Sequence, residues 1–576
     1  MRLQKRLVGS VAVAGVLALA LTACGGGGND GGGGDKPTAE AQTVEGADYN
    51  PQPRENLEQG GEVTFPLTEI TPQMNPNHSD GSVDTATIWE WYNPQMILMT
   101  PEGEASANPN YLTDWTTEVK DGKTVVTYTI NPKAVWNDGS PITWKSYELA
   151  WKANRSTEEG YVPSTTDGYS QIESVKQGVD DRQAVVTYKS EFPWTKGLFW
   201  HLMNPAVNSP KVFNEGYIED AHADWGAGPY KIDTFDLNGG VISFVPNDKW
   251  WGEKPMLDKV TFRVLEPTAA VNGFQNGEVN YVDNLTADNL EQLKDVDNAA
   301  TYKAQRTATN LLELNAERPQ FKDLEVRKAI FQAVNRDQIK EVMWNGLDYT
   351  EPDAGSLNLF PFQKGYVDAL ANAGYKFDAD AANAALDEAG WVKNGDVREK
   401  DGEKFEGRMP IFGDEPITEA RAKVIQQQLA AIGFKLDIDK RPASDFSTVL
   451  STKDWDLVIL GFSSSDPYGV AWMCQLYCSD SGLNLSATGT KAIDKKIAEQ
   501  VSSLPTEDEQ TEAGMKLESE IISETWGILP LYNGPWISMA TKGLANLTPE
   551  TYTGLDLFGL QPVENVGWEK GTNPAK

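Results

Sequence analysis

Apolar residues recur along this chain with two different periods, and the balance between the periods shifts past its middle. In GEVTFPLTEI, from Gly61, apolar and polar positions alternate as a half-buried strand requires. TVVTYTI from Thr124 and AVVTY from Ala184 alternate in the same way. Between the first two lies TPQMNPNHSDGS, a loop rich in turn residues. In TWKSYELAWKANR, Trp144, Tyr147 and Trp151 share one helical face and Thr143 is a suitable N-cap. From Asp323 onward, Val326, Ala329, Ile330, Ala333 and Val334 follow the spacing of an amphipathic helix. A second helix is expected from about Thr418, with Ala422, Ile425, Leu429 and Ile432 inward and a stop at Gly433. The strand FKLDI comes next, and DLVILGF from Asp456 has the apolar run of a strand covered on both faces. Helix, glycine and strand in this order predict an α/β domain over about residues 267–531.

The N-terminus has a different pattern. Arg2, Lys5 and Arg6 precede an apolar stretch from Leu7 to Leu21, shorter than the roughly 20 residues of a membrane-spanning helix. This is an export signal. Its end, Leu21-Thr22-Ala23-Cys24, resembles the bacterial lipobox, which makes Cys24 the site of lipidation and residues 1–23 a lipoprotein signal peptide. The rival reading is an ordinary signal peptide followed by a free cysteine. Two acyl chains on one cysteine suffice for stable anchoring. Residues 24–57 hold Gly, Pro, Asn and acidic side chains with almost nothing apolar, so they are expected to form a flexible tether. A Gly-rich coil of about 35 residues has an r.m.s. span of roughly 30 Å.

Length and charge narrow the function. Some 550 residues beyond the signal exceed a single core and suit two or three domains. With 84 acidic against 50 basic residues the formal net charge is −34, and no basic run is present. That balance argues against nucleic acid and against direct adsorption to anionic lipid. Beyond Cys24 only Cys474 and Cys478 remain, and in an exported chain a disulfide is the first reading. A metal site is the rival, but two thiols without nearby histidine make a weak one. Closing so short a loop contributes about 2 kcal/mol.

Catalytic signatures do not hold. DGKT at Asp121 lacks the upstream glycine of a phosphate-binding loop and reads as a turn. GAGPYK at Gly226 lacks a third glycine, and Pro229 would break the helix a dinucleotide fingerprint needs. GFSSSD contains no G-x-S-x-G elbow, and no H-E-x-x-H occurs. No enzyme activity, cofactor or metal is expected.

Several stretches together resemble the extracytoplasmic solute-binding proteins of the peptide and nickel ABC-importer family, family 5. They are VVTYTINPKAVWNDGSPITW, GAGPYKI, VPNDKWWGEKPMLDKVTFRVL, LEVRKAIFQAVNRDQI, ALDEAGW, and QLAAIGFKLDI before DWDLVILGFSSSDPYG. They follow the family's order across nearly all of residues 60–570. The wording of GVDDRQAVVTY is closest to oligopeptide-binding lipoproteins of actinobacteria, a group that also includes a relative linked to lipoglycan assembly. The resemblance implies an α/β, two-lobed periplasmic-binding-protein-like fold of class II with an extra domain. Lobe 1 would comprise residues 58–85, 206–266 and 532–576, with the extra domain at 86–205 and lobe 2 at 267–531. Ligand would bind between the lobes.

The family's cleft segment follows the strand DWDLVILGF, which carries the ligand-binding expectation onto Gly461, Phe462 and Ser463. The family's peptide binders place an Asp shortly after to receive the ligand ammonium. An ungapped match puts Ser465 there, with Asp466 one residue later, so both remain candidates. Tyr468 and Trp472 are aromatic candidates in the same segment. Trp250 and Trp251 fall in a motif outside the cleft and read as packing. His78 could face the cleft, although a solvated turn is the simpler reading.

The resemblance implies a lipid-anchored monomer that captures oligopeptides and passes them to a permease and an ATPase on separate chains. A glycolipid-binding or envelope-precursor-binding regulator of the same fold is the alternative, and an exported hydrolase the remote one. Because no other segment could anchor the chain, Cys24→Ala is expected to move the protein from the membrane fraction to the medium with its fold intact. Retention in membranes after a high-salt wash would refute the lipoprotein reading.

Overall fold

The expected alternation of Glu62–Leu67 is realised in a four-stranded sheet, where Val63, Phe65 and Leu67 point into a core and Glu62, Thr64 and Pro66 do not. In the computed structural model the described residues are 48–99, 105–306, 308–463, 469–547 and 562–574. Cys24, the signal peptide, Ser465, Asp466 and Tyr468 lie outside them. Glu62–Leu67 pairs in parallel with Lys259–Val264, which continues antiparallel through Val241–Pro246 to Tyr230–Asp236. Helix Val83–Tyr92, held at its start by a Ser82–Thr85 capping box, packs Trp91 against Tyr230 and Phe244. The GAGPYK stretch is a tight bend, as expected. A side chain at Gly228 would fall 2.6–2.7 Å from the Tyr92 and Trp91 backbone.

A second antiparallel sheet runs Leu112–Lys120, Lys123–Ile130, Gln183–Tyr188, Ile172–Gln177. Asp121 and Gly122, both at positive φ, form the two-residue turn of its first hairpin. Helix Trp144–Asn154 starts at the Thr143 cap and buries Tyr147 against Tyr128 at 4.8 Å, with Trp144 and Trp151 half-buried beside it. Trp250 and Trp251 pack on Tyr111 in the same region.

The remaining core gathers helices Leu324–Gln332, Arg336–Met343 and Pro416–Ala431 around a sheet ordered Leu457–Ser463, Ala308–Leu314, Ile528–Tyr532. Ala422, Ile425, Leu429 and Ile432 are all buried, and Gly433 ends the helix at φ +76. Helix Leu324–Gln332 is shorter than its apolar spacing predicts, because Ala333 and Val334 are buried beyond its last turn. Leu457 and Ile459 enter one core while Leu460 and Phe462 pack on another, so this strand is covered on both faces.

Two boundaries differ from the sequence expectation. Residues 48–57, placed in the tether, are pinned to the body: Asn50 Nδ2 donates to Glu569 Oε1 at 2.8 Å, the Gln52 N–H donates to Asn546 Oδ1 at 2.8 Å, and Leu57 pairs with Glu569. Composition missed this docking because polar hydrogen bonds supply most of it. Residues 267–305 were expected in the second lobe. Their strands Tyr281–Val282 and Ala299–Gln305 both pair with Pro535–Thr541, and Asn280 exchanges two 2.8 Å hydrogen bonds with the Thr64 backbone of the first lobe. Two antiparallel strand pairs, Ala299–Gln305 with Pro535–Thr541 and Ala308–Leu314 with Ile528–Tyr532, therefore follow one another as a ribbon that runs from one lobe into the other.

Cys474 and Cys478 are joined, with Cα atoms 4.5 Å apart, in and after the short helix Met473–Tyr477. Mass measurement with alkylation, before and after reduction, is expected to show both thiols blocked until reductant is added. Alkylation of both in the native protein would refute the bond.

Candidate functional site

A cavity of about 510 Å³ lies where the ribbon passes between the lobes. Its first-lobe wall is the end of strand Glu62–Leu67 with the start of helix Val83–Tyr92. Its second-lobe wall is Glu415, Phe446 and Gly461, and its floor comes from Tyr281, Arg306, Ala308 and Trp536. The volume is in the range of small-ligand and short-peptide sites.

Four carboxyl groups face this space. Glu69 is buried and bridges the lobes, accepting from the Ser447 hydroxyl and, at 3.4 Å, from its N–H. Burial raises its pKa, opposed by the Ser447 bonds. Asp84, in the first turn of its helix, accepts from the Thr68 and Glu69 N–H groups, each at 2.9 Å. Burial pushes its pKa up to about 7, the nearby Glu69 and Asp283 charges adding to the rise. Asp283 is raised to about 6 by burial, with Arg306 pulling the other way. Glu415 is raised to about 7 by burial and by Asp414, against Arg421. Arg421 is itself held by Asn310 at 3.2 Å and the Tyr532 hydroxyl at 2.6 Å. Among the described residues no group of three or more His, Cys, Asp or Glu is placed to hold a metal.

The structure sorts the expected ligand residues. Gly461 is exposed on the cavity wall, in the outer strand of its sheet, with open space where a side chain would stand. Phe462 turns away and packs on a core. Ser463 ends the strand and pairs with Ala308. Trp472 is 6% exposed and sits in the core of the extra sheet, away from the cavity. His78 is also elsewhere: it is buried, its Nδ1 accepting from the Asp80 N–H, and burial lowers its pKa. The carboxylates, Arg306 and Trp536 were not singled out in the sequence, where Asp84 and Asp283 look like any of the many acidic residues and only folding brings them together.

On the far side of the lobes a seam closes. Trp194 Nε1 donates to Gln510 Oε1 at 2.6 Å, and burial raises the pKa of Asp167 to about 8, opposed by the backbone of Gln475 and Cys474. Trp472 enters the same seam from the disulfide-bearing segment.

Raised carboxyls set a pH dependence. Folded Asp84 keeps its proton between about pH 4 and about pH 7 while the unfolded chain has released it, so native stability falls as pH rises through that window. Asp84→Asn is expected to leave the melting temperature nearly unchanged near pH 4 and to raise it increasingly from there to about pH 7–8 in the ligand-free protein. A difference independent of pH in thermal melts would show that Asp84 titrates normally.

Residues 106–484 match the family described as bacterial extracellular solute-binding proteins, family 5. The chain is 30% identical over 553 residues to the oligopeptide-binding protein OppA of Mycobacterium tuberculosis, covering 94% of this chain and 91% of that relative. It is 26% identical over 352 residues to the nickel-binding periplasmic protein of Escherichia coli, covering 59% and 64%. Among solved structures, the periplasmic EDTA-binding protein EppA superposes with a TM-score of 0.76 at 23% identity, covering 91% of this chain and 98% of that one. AppA from Bacillus subtilis, in complex with a nonapeptide, gives 0.73 at 18% identity, covering 89% and 100%. The matched family and the fold built around the cleft agree: this chain belongs to family 5 of the bacterial extracellular solute-binding proteins, and its fold is their two-lobed α/β fold.

Proposed function

We propose that this binding protein captures oligopeptides in the cleft between its lobes and, held to the membrane through Cys24, delivers them to a permease and an ATPase on separate chains. The observation that carries the reading is the position of Gly461. It brings the exposed backbone of an outer strand to the cavity wall. An extended ligand can pair its backbone with such an edge, which gives affinity independent of its side chains. The name of the mycobacterial relative, an oligopeptide-binding protein, supports the same cargo.

Closure would trap the ligand. The lobes would turn about the ribbon near Arg306 and Asn533, the Glu69–Ser447 and Trp194–Gln510 contacts forming as they meet. A glycolipid or envelope precursor would need a cleft that is apolar and free of fixed charge. Four carboxyls and Arg306 on the wall weigh against it.

Asp466, one residue from the family's acidic position, is the proposed receiver of the peptide ammonium, with Ser465 and Tyr468 beside it. A charge-assisted hydrogen bond is worth about 1.5–3 kcal/mol, so Asp466→Asn should weaken a free-amine peptide by roughly ten- to a hundredfold. N-acetylated peptide should bind the unmodified protein poorly and lose little more in the variant. Tryptophan fluorescence titrations of both proteins with both peptides test this, and equal losses for the two peptides would make Asp466 a turn residue.

A further inference from the structure

The cleft's charges are unbalanced in a way the backbone-pairing reading does not use. Glu69, Asp84, Asp283 and Glu415 line one cavity with a single cationic side chain, Arg306. Asp414 and Arg421 stand behind Glu415. Enclosing four acidic groups is unfavourable unless they hold protons or meet a cation. Two of the four have duties within the fold, Asp84 toward the Thr68 and Glu69 N–H groups and Glu69 toward Ser447. Among the described residues Asp283 accepts a side-chain hydrogen bond from its neighbour Asn284 alone, at 3.2 Å. Glu415 precedes helix Pro416–Ala431 yet makes no capping bond with its side chain.

A second observation points to a ligand. Trp536, on the cavity floor and only 6% exposed, has an indole N–H with no acceptor among the described residues. The Arg306 guanidinium lies over that ring at 5.5 Å, and its Nε–H likewise has no acceptor among them. Two unpaired donors on neighbouring side chains, in one lining with carboxyls of spare acceptor capacity, are complementary to a ligand that presents both a carbonyl or carboxylate and a cation.

Resting on the peptide reading, we infer that the cleft selects basic oligopeptides, with a lysine or arginine side chain seated between Asp283 and Glu415 and a peptide carbonyl or carboxylate received by Arg306 and Trp536. The cation displaces the protons that burial holds on these carboxyls, so binding tightens as pH rises through about 6 to 7. The acidic exterior adds long-range attraction for the same ligands, but that part is screened by salt.

Calorimetric titration of the full chain with tetralysine, tetra-alanine, tetraglutamate and spermidine, at physiological salt, tests the assignment. Tetralysine is expected to bind at least about tenfold more tightly than tetra-alanine, and more tightly near pH 8 than near pH 5.5. Asp283→Asn and Glu415→Gln keep the shape of the protonated side chains, so both variants should fold, which thermal melts check. Each should cost tetralysine about tenfold while moving tetra-alanine less than twofold. Equal affinity for tetralysine and tetra-alanine, or tetralysine binding unchanged in both variants, would overturn the inference and leave the peptide reading standing. Spermidine binding that depends on Glu415, without binding of any tetrapeptide, would uphold the cation seat and overturn the peptide reading. Binding of none of the four probes would overturn both.

Discussion

The antiparallel ribbon formed by Ala299–Leu314 and Ile528–Thr541 is the constraint on which the rest depends. It pairs first with the strand Tyr281–Val282 on the first-lobe side and then, from Ala308 to Leu314, with Leu457–Ser463 in the second lobe. The same two stretches of chain thus supply one strand pair to each of two sheets. Cores on either side can form independently, yet neither can move far from the ribbon. Residues at the passage, Arg306 and Trp536, become the floor of whatever space the lobes leave between them.

That geometry explains the electrostatics of the cleft. Strands and helices of both lobes end at the passage, and the ends carry polar residues: Glu69 after a strand, Asp84 in a first helical turn, Asp283 after a short strand, Glu415 before a helix. A carboxyl near a helix start is stabilised by the helix dipole. Enclosure works in the other direction and wins, because every one of these four has its pKa raised by burial before any neighbour is counted.

The seam on the opposite side is built from different chemistry. Trp472 enters the extra sheet's core, and the backbone of the disulfide-bearing segment beside it lowers a pKa that burial raises at Asp167. Within the second lobe that segment is fixed by Glu518, fully buried, which accepts from the Leu357 N–H at 2.8 Å and from the Tyr477 hydroxyl at 2.8 Å.

Much of the local structure was legible in the chain itself. Alternation located Glu62–Leu67, Lys123–Ile130 and Gln183–Tyr188, and the 3.6-residue period with its caps located Trp144–Asn154 and Pro416–Ala431, because side-chain direction in a strand or helix follows from backbone geometry alone. The ordered motifs carried the family and, with it, the two-lobed fold. Gly461 was placed in the cleft on the same basis. What the chain could not decide was where polar groups from distant segments meet. Residues 48–57 read as tether because their docking uses hydrogen bonds to Asn546 and Glu569, some 500 residues away. Trp472 read as a ligand aromatic because burial depends on which core receives it, and that core comes from the other lobe. Asp84, Asp283, Glu415 and Arg306 are ordinary charges in four separate stretches. Their proximity, and the raised pKa values that proximity and burial produce, exist only after the ribbon has brought two lobes together.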